Sequence, residues 1–129
     1  MTEVCTTIFT PAEIKEFKLD ALTQPAREVA ELVYAAALAA YKSEKSDEPV
    51  RIFTGGCTPF CDPEDWAERG EEYGLESELI VCCDGGDFAP LINYDYGAYA
   101  LAERFEKELA KRGLWHEPAT CWYTVINKK

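Results

Sequence analysis

The segment LIVCCDGGDFAPLI, residues 79–92, opens the stretch 78–128 around which the rest of the chain is expected to be organised. The segment 79–83 is a continuous apolar run of strand length. Residues 84–87 predict a turn, because their two glycines can supply the positive φ that a tight hairpin needs. The apolar segment 88–92 then predicts a second strand. Because Pro90 cannot donate a hydrogen bond to a neighbouring strand, this second strand is expected to lie at a sheet edge or to bend there.

A helix and a returning strand are predicted after this hairpin. Apolar residues recur at helical spacing within 95–112, and Gly113 follows as a C-terminal cap. Residues 114–118 predict a connector, and the β-branched and aromatic residues of 120–126 predict a strand. The three strands form a sheet, and one helix covers only one of its faces. Another part of the chain therefore has to cover the other face.

The first half of the chain supplies two helices. Thr10-Pro11-Ala12-Glu13 forms a capping box with proline at the first helical position and predicts a short helix over 11–18. An alanine-rich stripe of apolar residues predicts a long helix over 25–42. Its many alanines allow close approach to a sheet or to another helix.

A third helix and two further strands complete the pattern. Asp62 and Pro63 form a helix start, which predicts a helix over 63–73 that carries Trp66 inward. The segment 4–10 gives a weak strand signal, and the alternating pattern of 50–54, ended by two glycines, predicts a further strand.

These elements predict an α+β fold in a single domain over residues 1–129. The expected sheet is mixed, mainly antiparallel, and has about four strands. The two longer helices, 25–42 and 95–112, pack on one face of it, and the shorter helices lie at 11–18 and 63–73.

The chain carries no segment of membrane-spanning length, and its N-terminus lacks the layout of a secretory signal. These features favour a cytoplasmic location. In that compartment the six cysteines are expected to be thiols or metal ligands rather than disulfides.

The net charge of -11 is concentrated in the middle of the chain. Residues 62–95 contain eleven carboxylates and one cation, Arg69, a net charge of -10, whereas the rest of the chain sums to -1. A surface of this sign repels nucleic acids and anionic membranes, which argues against direct binding to either. It favours a basic protein partner.

The acidic segment has two interpretations. It is either a solvated face that keeps the protein soluble, or a surface that occupies the basic groove of a nucleic-acid-binding protein and inhibits it by mimicking a nucleic acid. Small acidic inhibitors of this kind are frequent among phage and mobile-element products, an analogy that would place the chain in a host cytoplasm. The candidate partner-binding residues are Glu64, Asp65, Glu68, Glu71, Glu72, Glu76, Asp84 and Asp87.

The cysteines give the alternative function. Cys57 and Cys61 flank a turn before a helix start, and with Cys121 and His116 they are weak candidates for a zinc site, with Cys82 or Cys83 as further possible ligands. Cys61 and His116 are also a candidate nucleophile and base. The spacing of these residues matches no familiar zinc motif. We therefore expect that the protein has no cofactor and that it is not an enzyme. A homo-oligomer formed through the alanine-rich helix is a third hypothesis.

Overall fold

The computed structural model describes residues 9–42, 58–68, 70, 77–82, 88–92, 97–118 and 123–129. Its helices are α1 (Pro11–Glu16), α2 (Gln24–Lys42), α3 (Pro63–Glu68), α4 (Ala89–Ile92) and α5 (Tyr99–Lys111), and a short 3₁₀ turn lies at Leu19–Ala21. Its strands are β1 (Phe60–Cys61), β2 (Leu79–Cys82), β3 (Leu114–Pro118) and β4 (Tyr123–Lys128).

The four strands form one sheet in the order β1-β2-β4-β3. All three neighbouring pairs of the described sheet are antiparallel. The α+β fold class predicted from the sequence is therefore confirmed.

The central strand β2 is buried on both faces of the sheet, and its residues alternate between two cores. Leu79 and Val81 face the larger core, which α1, α2, α4 and α5 complete. Ile80 and Cys82 face a smaller core around Trp66 of α3. The bare face expected from the sequence is thus covered, in its central part, by α3.

The alanines of α2 are used inside the chain. Ala30, Ala36, Ala37 and Ala40 are fully buried, and α2 packs against α5. The Arg104 guanidinium of α5 donates through Nε to the carbonyl of Ala40 at 3.2 Å, which ties the two helices together. This face is therefore not available for the homo-oligomer that the sequence suggested.

The capping box of α1 forms as predicted. The Thr10 hydroxyl accepts from the Glu13 amide at 3.1 Å, and the Glu13 carboxylate accepts from the Thr10 amide at 2.9 Å. Glu13 is buried, and its second carboxylate oxygen accepts from the Tyr34 hydroxyl at 2.6 Å. One side chain therefore caps α1 and joins it to α2.

The predicted strand over 88–92 is wrong, because Ala89–Ile92 forms the short helix α4. Pro90 fits the first turn of a helix, where its missing N–H is not needed. Phe88, Leu91 and Ile92 are buried in the larger core, and a short buried apolar run has no periodicity that separates strand from helix. The predicted turn at 84–87 and strand at 50–54 lie outside the described residues, as does nearly all of 4–10.

The predicted connector over 114–118 is also wrong, because Leu114–Pro118 forms the edge strand β3. Its burial alternates as a strand requires: Leu114 is buried, whereas Trp115 and Glu117 are exposed. Pro118 is tolerated at the end of an edge strand, where no donor is needed. The last strand, predicted over 120–126, is observed as Tyr123–Lys128.

The observed boundaries of the longer helices lie closer to the predicted ones. The long helix predicted over 25–42 is α2, and the helix predicted over 95–112 is α5, which begins at Tyr99. The described part of the helix predicted over 63–73 ends at Glu68, and Gly70 follows with a φ of +87°, the left-handed conformation typical of a helix end. Within the described part of the chain, no helix has the length and apolar character needed to cross a membrane.

Replacing Trp66 by alanine should reduce the free energy of unfolding by about 3–5 kcal/mol, because a fully buried indole is removed from the smaller core. Urea titration monitored by far-ultraviolet circular dichroism measures this loss. Trp115→Ala is the matched control. Since Trp115 is 43% exposed, its replacement should cost no more than about 1 kcal/mol. Equal losses in the two variants would contradict the structure of the smaller core.

Candidate functional site

Helix α3 is joined to the sheet by an aromatic contact and to the start of α2 by a carboxylate. The Trp66 indole is fully buried, and its ring centroid lies 5.0 Å from that of Tyr123 in an edge-to-face arrangement. The Asp62 carboxylate caps the helix by accepting from the Glu64 amide at 3.0 Å. Its second oxygen accepts from the Thr23 amide at 3.1 Å, which links α3 to the start of α2.

The same hydrogen bonds set the ionisation of Asp62. Burial by itself raises the pKa of this carboxyl, but the hydrogen bonds from Thr23 and from the Glu64 amide outweigh it and lower the pKa below its ordinary value of 3.8. Asp62 therefore remains charged at neutral pH, and its charge is used inside the fold.

The other carboxylates of α3 point to solvent. Glu64, Asp65 and Glu68 are exposed, and among the described residues none of their side chains takes part in an ion pair or a hydrogen bond. Glu78, in the same acidic segment, lies 3.7 Å from the Lys128 ammonium. The structure thus separates acids that the fold uses, Asp62 and Glu78, from acids that it leaves on the surface.

The acids of α3 share one helix face. Glu64 and Glu68 are four residues apart, and Asp65 and Glu68 are three apart, spacings at which like charges repel. Glu64 and Asp65 lie in the first turn, where the helix dipole favours a negative charge. Glu68 ends the described helix, where the dipole disfavours it. Helix stability therefore explains Glu64 and Asp65 but not Glu68.

An exposed tryptophan lies on the same side of the sheet as α3. Cross-strand partners share a face, and Glu117 pairs with Val125, which belongs to the core around Trp66. Trp115 is two residues from Glu117 in β3 and so faces the same side. Its side chain is 43% exposed. We call Glu64, Asp65 and Glu68 the α3 surface.

Five of the eight carboxylates predicted to bind a partner lie outside the described residues. They are Glu71, Glu72, Glu76, Asp84 and Asp87. The other three form the α3 surface.

The candidate pair of Cys61 and His116 does not form. Cys61 lies in β1 and His116 in β3, the two outer strands of the described sheet, which are separated by β2 and β4. At about 4.8 Å for each strand, their backbones are roughly 14 Å apart. Cys61 packs against the core around Trp66, whereas the His116 ring lies against Phe105 on the opposite face. These two residues therefore share neither a zinc ion nor a proton.

The remaining thiols give no metal centre that can be described. Cys57, Cys83 and Cys121 lie outside the described residues, and within the described ranges no group of three or more His, Cys, Asp or Glu side chains has the geometry to hold a metal ion. Cys82 is buried in the smaller core, and the Cys61 thiol donates to the Asp62 carbonyl at 3.6 Å.

His116 is buried between β3 and α5. Its side chain is only 2% exposed. Nδ1 shares a hydrogen bond of 2.9 Å with the Thr124 hydroxyl, and Nε2 lies 3.7 Å from a carboxylate oxygen of Glu106. Burial lowers the pKa of His116 below its ordinary value of 6.5, and the nearby Glu106 carboxylate opposes this shift only in part.

Comparison with known proteins adds no assignment: no protein-family model, curated protein or solved structure matches the chain. The α3 surface and its neighbourhood are therefore interpreted from their own geometry and charge.

The buried state of His116 predicts a pH-dependent stability. Because its pKa is lowered in the folded chain, the unfolded chain takes up a proton first as the pH falls. The free energy of unfolding should thus be highest above pH 6.5 and decrease as the pH falls below that value. Urea titrations over the range of about pH 5 to 7.5 measure this decrease.

His116→Gln is the decisive variant, because His116 is the only histidine in the chain. It should flatten the dependence on pH over this range. Glu106→Gln should steepen it, since the carboxylate that favours the charged imidazole is lost. An equally large decrease in the His116→Gln variant would assign the dependence to another group.

Proposed function

We propose that this chain is an interaction protein whose α3 surface binds the basic groove of a nucleic-acid-binding protein and competes with nucleic acid for that groove. The observation that carries the proposal is the set of three exposed carboxylates on α3 that have no cationic partner among the described residues. They lie beside further acids of residues 71–87 in the sequence.

The arrangement has the two parts that a protein interface needs. Closely spaced carboxylates attract a basic groove over a long range and release its counterions on binding. An exposed aromatic side chain supplies the apolar contact that carries much of the affinity in many interfaces, and Trp115 lies on the same side of the sheet. The rigid attachment of α3 through Trp66 and Asp62 keeps the charges in one geometry before binding, which reduces the entropy cost.

The test is an affinity capture with three forms of the chain at low and high salt. The first is the unchanged chain, and the second replaces Glu64, Asp65 and Glu68 by the isosteric amides. The third is a matched control that replaces Glu16, Glu28 and Glu103, exposed carboxylates of α1, α2 and α5, in the same way. Both variants lose the same number of charges, so the comparison separates a local surface from the net charge.

We expect the unchanged chain and the control to retain a basic nucleic-acid-binding protein that is released as salt rises and that loses its nucleic acid on binding. The α3 variant should retain this protein at least about tenfold less than the unchanged chain does. Equal retention by all three forms, or retention of no basic protein by any of them, would overturn the proposal. Circular dichroism of each variant shows that the fold is kept.

A further inference from the structure

The two ring nitrogens of His116 differ in what they bind. Nδ1 shares a hydrogen bond of 2.9 Å with the Thr124 hydroxyl. Nε2 is buried and has no hydrogen-bond partner among the described residues. A carboxylate oxygen of Glu106 lies 3.7 Å from it, which is beyond hydrogen-bonding distance. A buried polar atom without a hydrogen bond is uncommon in folded proteins and costs stability, so Nε2 is open to a partner from outside the fold.

Nε2 points toward α5. Thr124 belongs to β4, and it holds the Nδ1 side of the ring against the sheet. The ring also contacts Phe105 of α5, with centroids 5.6 Å apart, and Glu106 is the next residue of the same helix. Nε2 therefore lies between β3 and α5, underneath the Glu106 carboxylate.

A groove lies at the same place, between β3 and α5, and both Glu106 and His116 line it. Its volume is about 210 Å³, and Leu109, Ala110 and Leu114 give it an apolar wall. An apolar cavity of about 150 Å³ is large enough to bind benzene. The groove therefore has room for a single six-membered ring with a small substituent.

The polar pair in the groove suits a hydroxyl group. Burial lowers the pKa of His116, so the imidazole is neutral at neutral pH. A carboxylate only accepts hydrogen bonds, so Glu106 favours the tautomer that carries the proton on Nε2. A hydroxyl oxygen roughly 2.8 Å from each group accepts from Nε2 and donates to Glu106. Because the Glu106 side chain is 45% exposed, it can move aside to admit this oxygen.

The charges beside the groove select neither an anion nor a cation. Two exposed acids, Glu103 and Glu106, stand against two exposed bases, Lys107 and Lys129. An anionic ligand would meet the Glu106 carboxylate at the position of its polar group, and the neutral His116 offers it no charge. A ligand without net charge fits this balance.

We propose that the groove between β3 and α5 binds a small neutral ligand with one hydroxyl group on an apolar body of about six to eight carbon atoms, such as a phenol. The hydroxyl lies between His116 Nε2 and the Glu106 carboxylate, and the apolar body lies against Leu109, Ala110 and Leu114. This inference goes beyond the α3 surface and does not depend on it, because its residues belong to β3 and α5.

The test titrates the full chain, labelled with ¹⁵N, with phenol and follows the imidazole nitrogens by NMR. His116 is the only histidine in the chain, so these resonances need no further assignment. We expect saturable binding at millimolar phenol, with a shift of the Nε2 resonance and of the amides of residues 106–110 and 114–116. Toluene has the same size but no hydroxyl, and it should shift the Nε2 resonance far less.

Two matched variants locate the site. Ala110→Phe fills the groove from an exposed helix position and should weaken phenol binding at least about tenfold, because its ring occupies the space of the ligand. Ala100→Phe, at an exposed position near the start of α5, adds the same ring elsewhere and should bind phenol unchanged. The amide spectrum of each variant shows that the fold is kept.

Benzoate tests the requirement for a neutral ligand. It should bind at least about tenfold more weakly than phenol, because its charge meets the Glu106 carboxylate. The proposal is overturned if phenol does not bind at millimolar concentration, if toluene shifts the Nε2 resonance as much as phenol does, if benzoate binds as well as phenol, or if Ala110→Phe has no effect. Phenol shifts confined to residues 63–68 would also overturn it, and would leave the proposal for the α3 surface untouched.

Discussion

The constraint on which the structure depends is the burial of β2 on both faces. Leu79–Cys82 has no exposed residue, so the sheet needs a layer on each side. The long helices α2 and α5 form one layer, and the single indole of Trp66 anchors the other. Trp66 can fill this role because Asp62 and Pro63 begin a helix directly before it, and because the Asp62 carboxylate binds both that helix and the Thr23 amide at the start of α2.

The second layer also explains the distribution of charge. A short helix that covers a sheet with one aromatic side chain leaves its remaining faces to solvent, and in α3 these faces carry Glu64, Asp65 and Glu68. Their repulsion is a cost of the order of a few tenths of a kcal/mol for each pair, which the burial of Trp66 exceeds severalfold. The fold therefore tolerates the repulsion within this acidic surface, in which Glu68 is the charge that helix stability does not explain.

The sequence predicted what local chemistry determines. Thr10 and Glu13 formed their capping box, Asp62 capped α3, and the apolar stripe of α2 became a buried helix face. The segments 88–92 and 114–118 were misassigned because a short segment becomes strand or helix according to its tertiary neighbours. The prediction of functional sites was limited by the same dependence on tertiary structure. The carboxylates of α3 are visible in composition alone, whereas the exposure of Trp115 and the separation of Cys61 from His116 depend on strand order, which no local pattern encodes.

The most direct measurement of the central claim is amide hydrogen exchange of the chain alone and in complex with the basic nucleic-acid-binding protein that we propose as its partner. The account predicts slower exchange across residues 63–68 in the complex, with the free rate restored as salt rises and the complex dissociates. Slower exchange confined to α1, α2 and α5, with residues 63–68 unchanged, would contradict the proposal that the α3 surface binds the partner.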